Sequence, residues 1–240
     1  MFSDFYEIYL TSTAGLPDPF RTEKIARKLY RHLEELSEKG RLFNLTAIDD
    51  ERDAVNKHTV DSLYAAEVVA ELSKGESASL IDVGSGAGFP ALPIATACGN
   101  IAVTALDSTA KKCEFISSAA NVCGVSVSVL SERAEEAAKD LRETFDFATA
   151  RAVARLNILA ELCAPFVKVG GYFVAMKGSA AKEEANEAER AVKTLGLEFE
   201  SAKNYAIKNG GERSIIIYKK IAPTPCGYPR RYALIKKKPL

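Results

Sequence analysis

The stretch Ser79-Leu80-Ile81-Asp82-Val83-Gly84-Ser85-Gly86-Ala87-Gly88-Phe89-Pro90 decides the reading of this chain. Its first half is a short apolar run closed by glycine, as in a parallel strand buried on both faces. Its second half spaces glycines as GxGxG, so that a ligand can approach the backbone without meeting a Cβ. A strand that turns through glycines into a helix is where open α/β sheets bind ligands, beyond the carboxyl ends of their strands. A plain tight turn is the competing explanation of the glycines.

Working downstream, strand-like and helix-like runs alternate. Strands are expected over 79–84, 101–107, 126–130, 145–150, 171–177, 198–207 and 214–219. Helices are expected over 110–121, 132–141, 156–167 and 182–195. The last two strands flank Lys208-Asn209-Gly210-Gly211, a hairpin signal. The pattern predicts an α/β fold with a doubly wound, mostly parallel seven-stranded sheet and one antiparallel strand.

Upstream, Phe2, Phe5, Tyr6 and Tyr9 share a helical face. Asp18-Pro19 is read as the N-cap and first turn of a helix that carries Ile25, Leu29, Leu33 and Leu36 and stops at Gly40. A third helix is expected over 53–72, and the apolar link 42–48 is expected to pack on the next domain. Lys74-Gly75-Glu76-Ser77 punctuates the chain. The predicted organisation is a helical N-terminal extension over 1–75 and a ligand-binding domain over 76–240.

Composition excludes several classes. With 47% hydrophobic and 27% charged residues, the chain of 240 reads as globular. It has no apolar run of about 18 residues, and acids stand where a secretory signal would be basic. No membrane partner and a cytoplasmic location are expected. Five scattered cysteines and two histidines offer no zinc spacing, so no metal is expected. Lysine plus arginine balance aspartate plus glutamate at 32 each. However, the segment 230–240 holds Arg230, Arg231, Lys236, Lys237 and Lys238 and no acid, a candidate nucleic-acid contact. A solvated end is the alternative.

Asp107 closes the second strand, 23 residues after Gly84, where a carboxylate can accept from both hydroxyls of a ribose. A helix cap is its other reading, with Ser108 and Thr109 competing for that role. Asp82 ahead of the loop suits a cofactor bearing an ammonium and a sulfonium. Ala134 and Glu135, after the third strand, are placed to read an adenine edge, although Glu135 also suits a helix's first turn. These two features favour S-adenosyl-L-methionine over a nicotinamide. Arg151 and Arg155 follow the fourth strand beside the expected cleft, where a guanidinium can fork onto guanine or phosphate. Lys177 closes the fifth strand, within reach of an RNA phosphate or of solvent. His58 is read as a packed histidine.

In order along the chain, Asn44-Leu45-Thr46-Ala47-Ile48, Lys57-His58 with Asp61-Ser62-Leu63, the loop 82–90, Asp107-Ser108, Arg151-Ala152-Val153-Ala154, Lys177-Gly178, Pro229-Arg230-Arg231-Tyr232 and Lys237-Lys238-Pro239-Leu240 resemble the signatures of one family. It is the glucose-inhibited division protein B family of bacterial 16S rRNA (guanine-N7) methyltransferases. The resemblance spans nearly the whole chain and implies a Rossmann-like class I methyltransferase with an N-terminal helical extension. It implies a cofactor site at Gly84, Phe89, Asp107, Ala134, Glu135 and Arg151; Gly86 and Gly88 in the same loop, and Ser108 and Thr109 beside Asp107, are expected to join it. The implied substrate is N7 of a guanine in 16S rRNA or the small ribosomal subunit. A monomer is expected. Here the family's GFPG is Gly88-Phe89-Pro90-Ala91, and the tail is shorter than usual. N7 methylation needs no proton-abstracting base, which agrees with the lack of an obvious catalytic pair. The alternatives are a small-molecule methyltransferase on the same scaffold, a nicotinamide oxidoreductase and a non-catalytic RNA-binding protein.

Overall fold

The computed structural model describes residues 1–43 and 50–240. Ala78–Val83 (β1), Ile101–Asp107 (β2), Val127–Ser131 (β3), Phe145–Arg151 (β4), Val167–Lys177 (β5), Leu197–Ile207 (β6) and Gly211–Lys220 (β7) form one sheet, in the order β3-β2-β1-β4-β5-β7-β6. The first five strands are parallel, and β7 runs antiparallel to both β5 and β6. This is the sheet expected from the sequence, one antiparallel strand included. The chain leaves β1 towards β2 on one side and later returns to β4 on the other. That reversal opens a crevice at the carboxyl ends of β1 and β4.

The helices are Phe2–Ser12 (α1), Glu23–Phe43 (α2), Glu51–Ala54 (α3), Asp61–Ser73 (α4), Ala91–Ala97 (α5), Ala110–Cys123 (α6), Ala134–Asp140 (α7), Leu156–Cys163 (α8), Ala181–Glu187 (α9), Glu189–Thr194 (α10) and Tyr232–Lys237 (α11). Successive strand residues face opposite layers. Leu80 joins a core with Phe5, Tyr9, Leu29, Leu63 and Phe115, whereas Ile81 joins another with Leu159, Ala191 and Ile235. The helices of residues 1–75 therefore lie on one face of the sheet and share its core. Burying one such side chain contributes about 1.5–3 kcal/mol, so this layer and the sheet stabilise one another.

Several boundaries differ from the sequence reading. Asp18-Pro19 opens a 3-10 turn, Asp18–Arg21, and Thr22 is extended after it. The Thr22 hydroxyl, 3.4 Å from the Ile25 amide, stands in the capping role instead. Helix α2 runs past Gly40 to Phe43; an interior glycine weakens a helix by only about 1 kcal/mol, so neighbouring packing can carry the helix through it. The expected helix over 53–72 is interrupted by a π-helical stretch, Val55–Val60. The helix expected over 156–167 ends at Cys163 and gives way to a 3-10 turn carrying Pro165, which has no amide to donate. The 182–195 helix divides at Ala188. The expected packing of 42–48, and the motif 44–48 itself, lie outside the described residues. Among the described residues, no helix is long and apolar enough to cross a membrane, and no group of side chains is arranged to hold a metal ion.

Candidate active site

The glycine loop leaves β1, and its first three residues are tied to the end of the next strand. The amides of Gly84 and Ser85 donate to the Leu106 carbonyl at 2.8 and 3.0 Å. The Gly86 amide donates to Asp107 Oδ2 at 3.0 Å, and the Thr109 amide donates to Asp107 Oδ1 at 2.9 Å. Two glycines show what the spacing does. A Cβ at Gly84 would stand 2.6 Å from Val153 Cγ2, so this glycine lets the β4 loop close against the β1 loop. At Gly86, with φ +61°, a Cβ would find only the Gly84 carbonyl, at 4.0 Å. The space above Gly86 is open, and it is the space of the cavity. Gly88 lies away from that opening and packs against Leu92.

The cavity measures about 550 Å³ and lies at the carboxyl ends of β1 to β4. Its lining includes Gly84, Gly86, Phe89, Asp107, Ser108, Thr109, Ala134, Glu135 and Arg151, all expected from the sequence. Asp82 is absent from the lining. Its carboxylate is buried beneath the loop, where Oδ2 accepts from the Ser85 hydroxyl at 2.6 Å and the Ala91 amide at 3.2 Å. Burial pushes its pKa up to about 6, partly offset by those two bonds. Asp82 therefore braces the loop; the expected contact with cofactor cations is corrected. Asp107 is not the cap of α6, whose N-cap is Thr109. Its carboxylate sets the loop and still borders the cavity.

Phe89 is packed between two imidazoles, His32 at 4.2 Å and His58 at 4.8 Å between ring centroids. Arg151 lies over the same ring at 5.4 Å. The Arg151 guanidinium donates to the Lys57 carbonyl at 2.7 Å and to Asp61 Oδ2 at 3.2 Å. It lies 3.0 Å from His58 Nδ1, which must accept, since a guanidinium only donates. Burial, with Arg151 adding to it, lowers the His58 pKa to about 3. Burial lowers that of His32 to about 4. Both rings are neutral near pH 7. The π-helical stretch thus delivers His58 and the Lys57 carbonyl to the cavity edge, a placement in keeping with such bulges at functional sites. His58 is packed on Phe89 and bonded to Arg151, as its reading as a packed histidine expects, but it stands at the cavity border and not within the core. The spacing of His58, Asp61 and Ser62 puts them on one helical face, a signal the sequence did carry.

The other expected cations are engaged elsewhere. Arg155 turns from the cavity to α9, where Nη2 stands 2.5 Å from Glu187 and 3.3 Å from Glu183. Lys177 is buried, with Nζ 2.7 Å from both the Ala154 carbonyl and Glu184 Oε2. It braces the loop after β4 and does not reach solvent for a phosphate. Arg230 forks onto Glu161, with Nε 2.8 Å from Oε1 and Nη2 2.5 Å from Oε2. Arg231, Lys236, Lys237 and Lys238 are exposed. Tyr232, between them, lines the cavity, and its amide donates to Glu135 Oε1 at 3.2 Å. The Glu135 carboxylate is thus already engaged by the chain's own end.

Comparison with known proteins agrees with this architecture. A structure described as the O-methyltransferase from Bacillus cereus in complex with SAH superposes with a TM-score of 0.60, covering 92% of this chain and all of that one (100%), at 13% identity. A putative sarcosine dimethylglycine methyltransferase from Galdieria sulphuraria matches with a TM-score of 0.52 over 67% of this chain and 85% of its own, at 11% identity. At such identities the likeness is one of fold. Sequence relatives are closer. The ribosomal RNA small subunit methyltransferase G of Leuconostoc citreum is 42% identical over 91% of this chain and 92% of its own. That of Clostridium beijerinckii is 42% identical over 98% and 99%. The family model for rRNA small subunit methyltransferase G, GidB, matches residues 25–216. Against these matches the small-molecule and nicotinamide alternatives fall away: the chain belongs to the GidB family of rRNA small subunit methyltransferases.

Proposed function

We propose that this chain transfers a methyl group from S-adenosylmethionine to N7 of a guanine in 16S ribosomal RNA, as a cytoplasmic monomer. The observation that carries the reading is the open cavity above Gly86, flanked on one side by Asp107 and on the other by Arg151 with neutral His58. At about 550 Å³ it falls in the size range of small-molecule cofactor sites. The backbone at Gly86 leaves room that any Cβ would fill, so the residues present fit such a cofactor.

The cofactor supplies an electrophilic methyl group on a sulfonium. The residues of the chain bind and align. Each Asp107 oxygen holds one amide and keeps a lone pair for a ribose hydroxyl. Arg151, fixed by three partners and lying over the Phe89 ring, keeps a positive charge on the cavity wall. Guanine N7 has a free lone pair, so attack needs in-line placement and no proton removal beforehand; positioning of this kind can supply about 7–11 kcal/mol. The exposed Arg231, Lys236, Lys237 and Lys238 are proposed to hold RNA phosphates.

The test is transfer of labelled methyl groups to purified small subunits and to protein-free 16S rRNA, followed by mapping of the product. A single 7-methylguanine in the rRNA is expected. Methylation at an exocyclic nitrogen, or of metabolites only, would overturn the reading.

A further inference from the structure

We propose that Tyr232 is a cofactor-binding residue and that the carboxy-terminal segment is a constructed wall of the cofactor site. The proposal rests on the adenosylmethionine reading given above. Tyr232 lines the same cavity as Asp107, Ala134 and Glu135, and its amide is bonded to Glu135. With Asp107 holding the ribose, Ala134 and Glu135 mark the nucleobase end. An aromatic side chain there gives a planar base a flat apolar partner.

The segment is anchored on both sides of this residue. Before it, the Arg230 amide and guanidinium bind Glu161, which is 0% exposed. A carboxylate so buried requires its counter-charge, so Arg230 has little freedom. After it, Ile235 is 0% exposed and sits in the core with α8 residues. Arg230 also donates to the Lys238 carbonyl at 3.1 Å, which closes the segment on itself. Further back, Arg142 donates to the carbonyls of Thr224, Pro225 and Tyr228. A free phosphate-seeking tail would need none of these bonds. They hold Tyr232 at one place on the cavity wall.

The chain contains no tryptophan, so Tyr232→Trp introduces a single indole. On titration with S-adenosylmethionine its emission should change saturably, with a midpoint matching the calorimetric Kd. Tyr6→Trp, in α1, should stay silent. By calorimetry, Tyr232→Ala should bind S-adenosylmethionine about tenfold more weakly and Tyr232→Phe within about twofold of the parent, because the ring and not the hydroxyl supplies the contact. The three Tyr232 variants should melt close to the parent temperature. A silent indole together with unchanged affinity in Tyr232→Ala overturns the proposal while leaving the cofactor reading intact. A parent protein that does not bind S-adenosylmethionine overturns both.

Discussion

Across the cavity, the tips of β1 and β2 and the tips of β4 and β5 use their polar residues in opposite ways. At the first rim, Asp107 and the glycine amides bond to one another across two adjacent strands and leave open space above them. At the second rim, Arg151, Arg155 and Lys177 reach to α9 or to the π-helical stretch and α4. The first rim is shaped by local backbone conformation. The second is shaped by long side chains whose partners lie 28 to 94 residues away or, for Lys177, 7 and 23. A substitution at the first rim should therefore act on the ligand, and one at Arg155 or Lys177 of the second on the scaffold.

The largest effect tests the first half of that contrast. Gly86→Val puts a branched side chain into the open space and a left-handed backbone, a strain of about 1–2 kcal/mol. Calorimetry should detect no binding of S-adenosylmethionine, while the melting temperature falls only by the few degrees that such a strain implies. Retained binding would show that the open space is not the ligand's.

Next comes Lys177→Met, which strips Glu184 of its buried partner and the Ala154 carbonyl of its donor. Breaking a buried pair costs on the order of 3 kcal/mol, so chemical denaturation should show a loss of that size. Cofactor affinity should change far less than stability. The reverse pattern would return Lys177 to the ligand.

Asp107→Ala follows. It removes the acceptor of the Gly86 and Thr109 amides as well as the proposed acceptor of ribose hydroxyls. Cofactor affinity should weaken by about 1–3 kcal/mol, with Asp107→Asn between the two. An unchanged Kd would leave Asp107 a structural residue only.

A fourth test uses the buried titrating groups. His32 and His58 have folded pKa values of about 4 and about 3, below the ordinary histidine value, because burial disfavours their charged forms. The unfolded chain therefore takes up protons first, and their contribution to stability is lost as pH falls below about 6.5. Asp82 acts in the opposite sense. Its folded pKa of about 6 lies above the ordinary carboxylate value through burial, so its charge weakens the fold above that pH and is relieved on acidification. Between pH 6.5 and 4 the two histidines oppose one carboxylate. Asp82→Asn should make the fall in melting temperature steeper over that window, and His32→Gln should make it shallower.

How much of this was legible depends on the distance over which each residue acts. The sheet could be read because parallel strands are written as apolar runs and because the 208–211 turn is a local hairpin signal. The cavity floor could be read because GxGxG and the terminal acid of β2 lie on adjacent strands in every sheet of this order. The cations could be read as cations but not as to their partners: nothing near Arg230 announces Glu161, and nothing near Arg155 announces Glu187. Tyr232 was visible only as part of the motif 229–232, since one aromatic within a basic end has no period that would point it at the cavity. His58 was visible beside Asp61, but a π-helical turn rather than an α-helical one set the way it faces the cavity.

The smallest effect is the sharpest test of the contrast, because position alone argues for a large one. Arg155 follows the strand whose tip carries Arg151 and stands at the N-cap of α8, where a cation is unfavourable next to the helix dipole. On that ground it should act on substrate, and its loss should lower turnover even at saturating RNA. Its side chain instead extends over α9, where Glu187 and Glu183 hold it and raise its pKa further. Both acids and the arginine are largely exposed, and water screens such a pair. Arg155→Ala should therefore leave kcat, KM for rRNA and the melting temperature within experimental error of the parent. Methyl transfer to small subunits over a series of salt concentrations would reveal any role it has in holding RNA. A fall in kcat at saturating RNA would mean that the guanidinium leaves α9 when substrate binds, and the second rim would then act on the ligand after all.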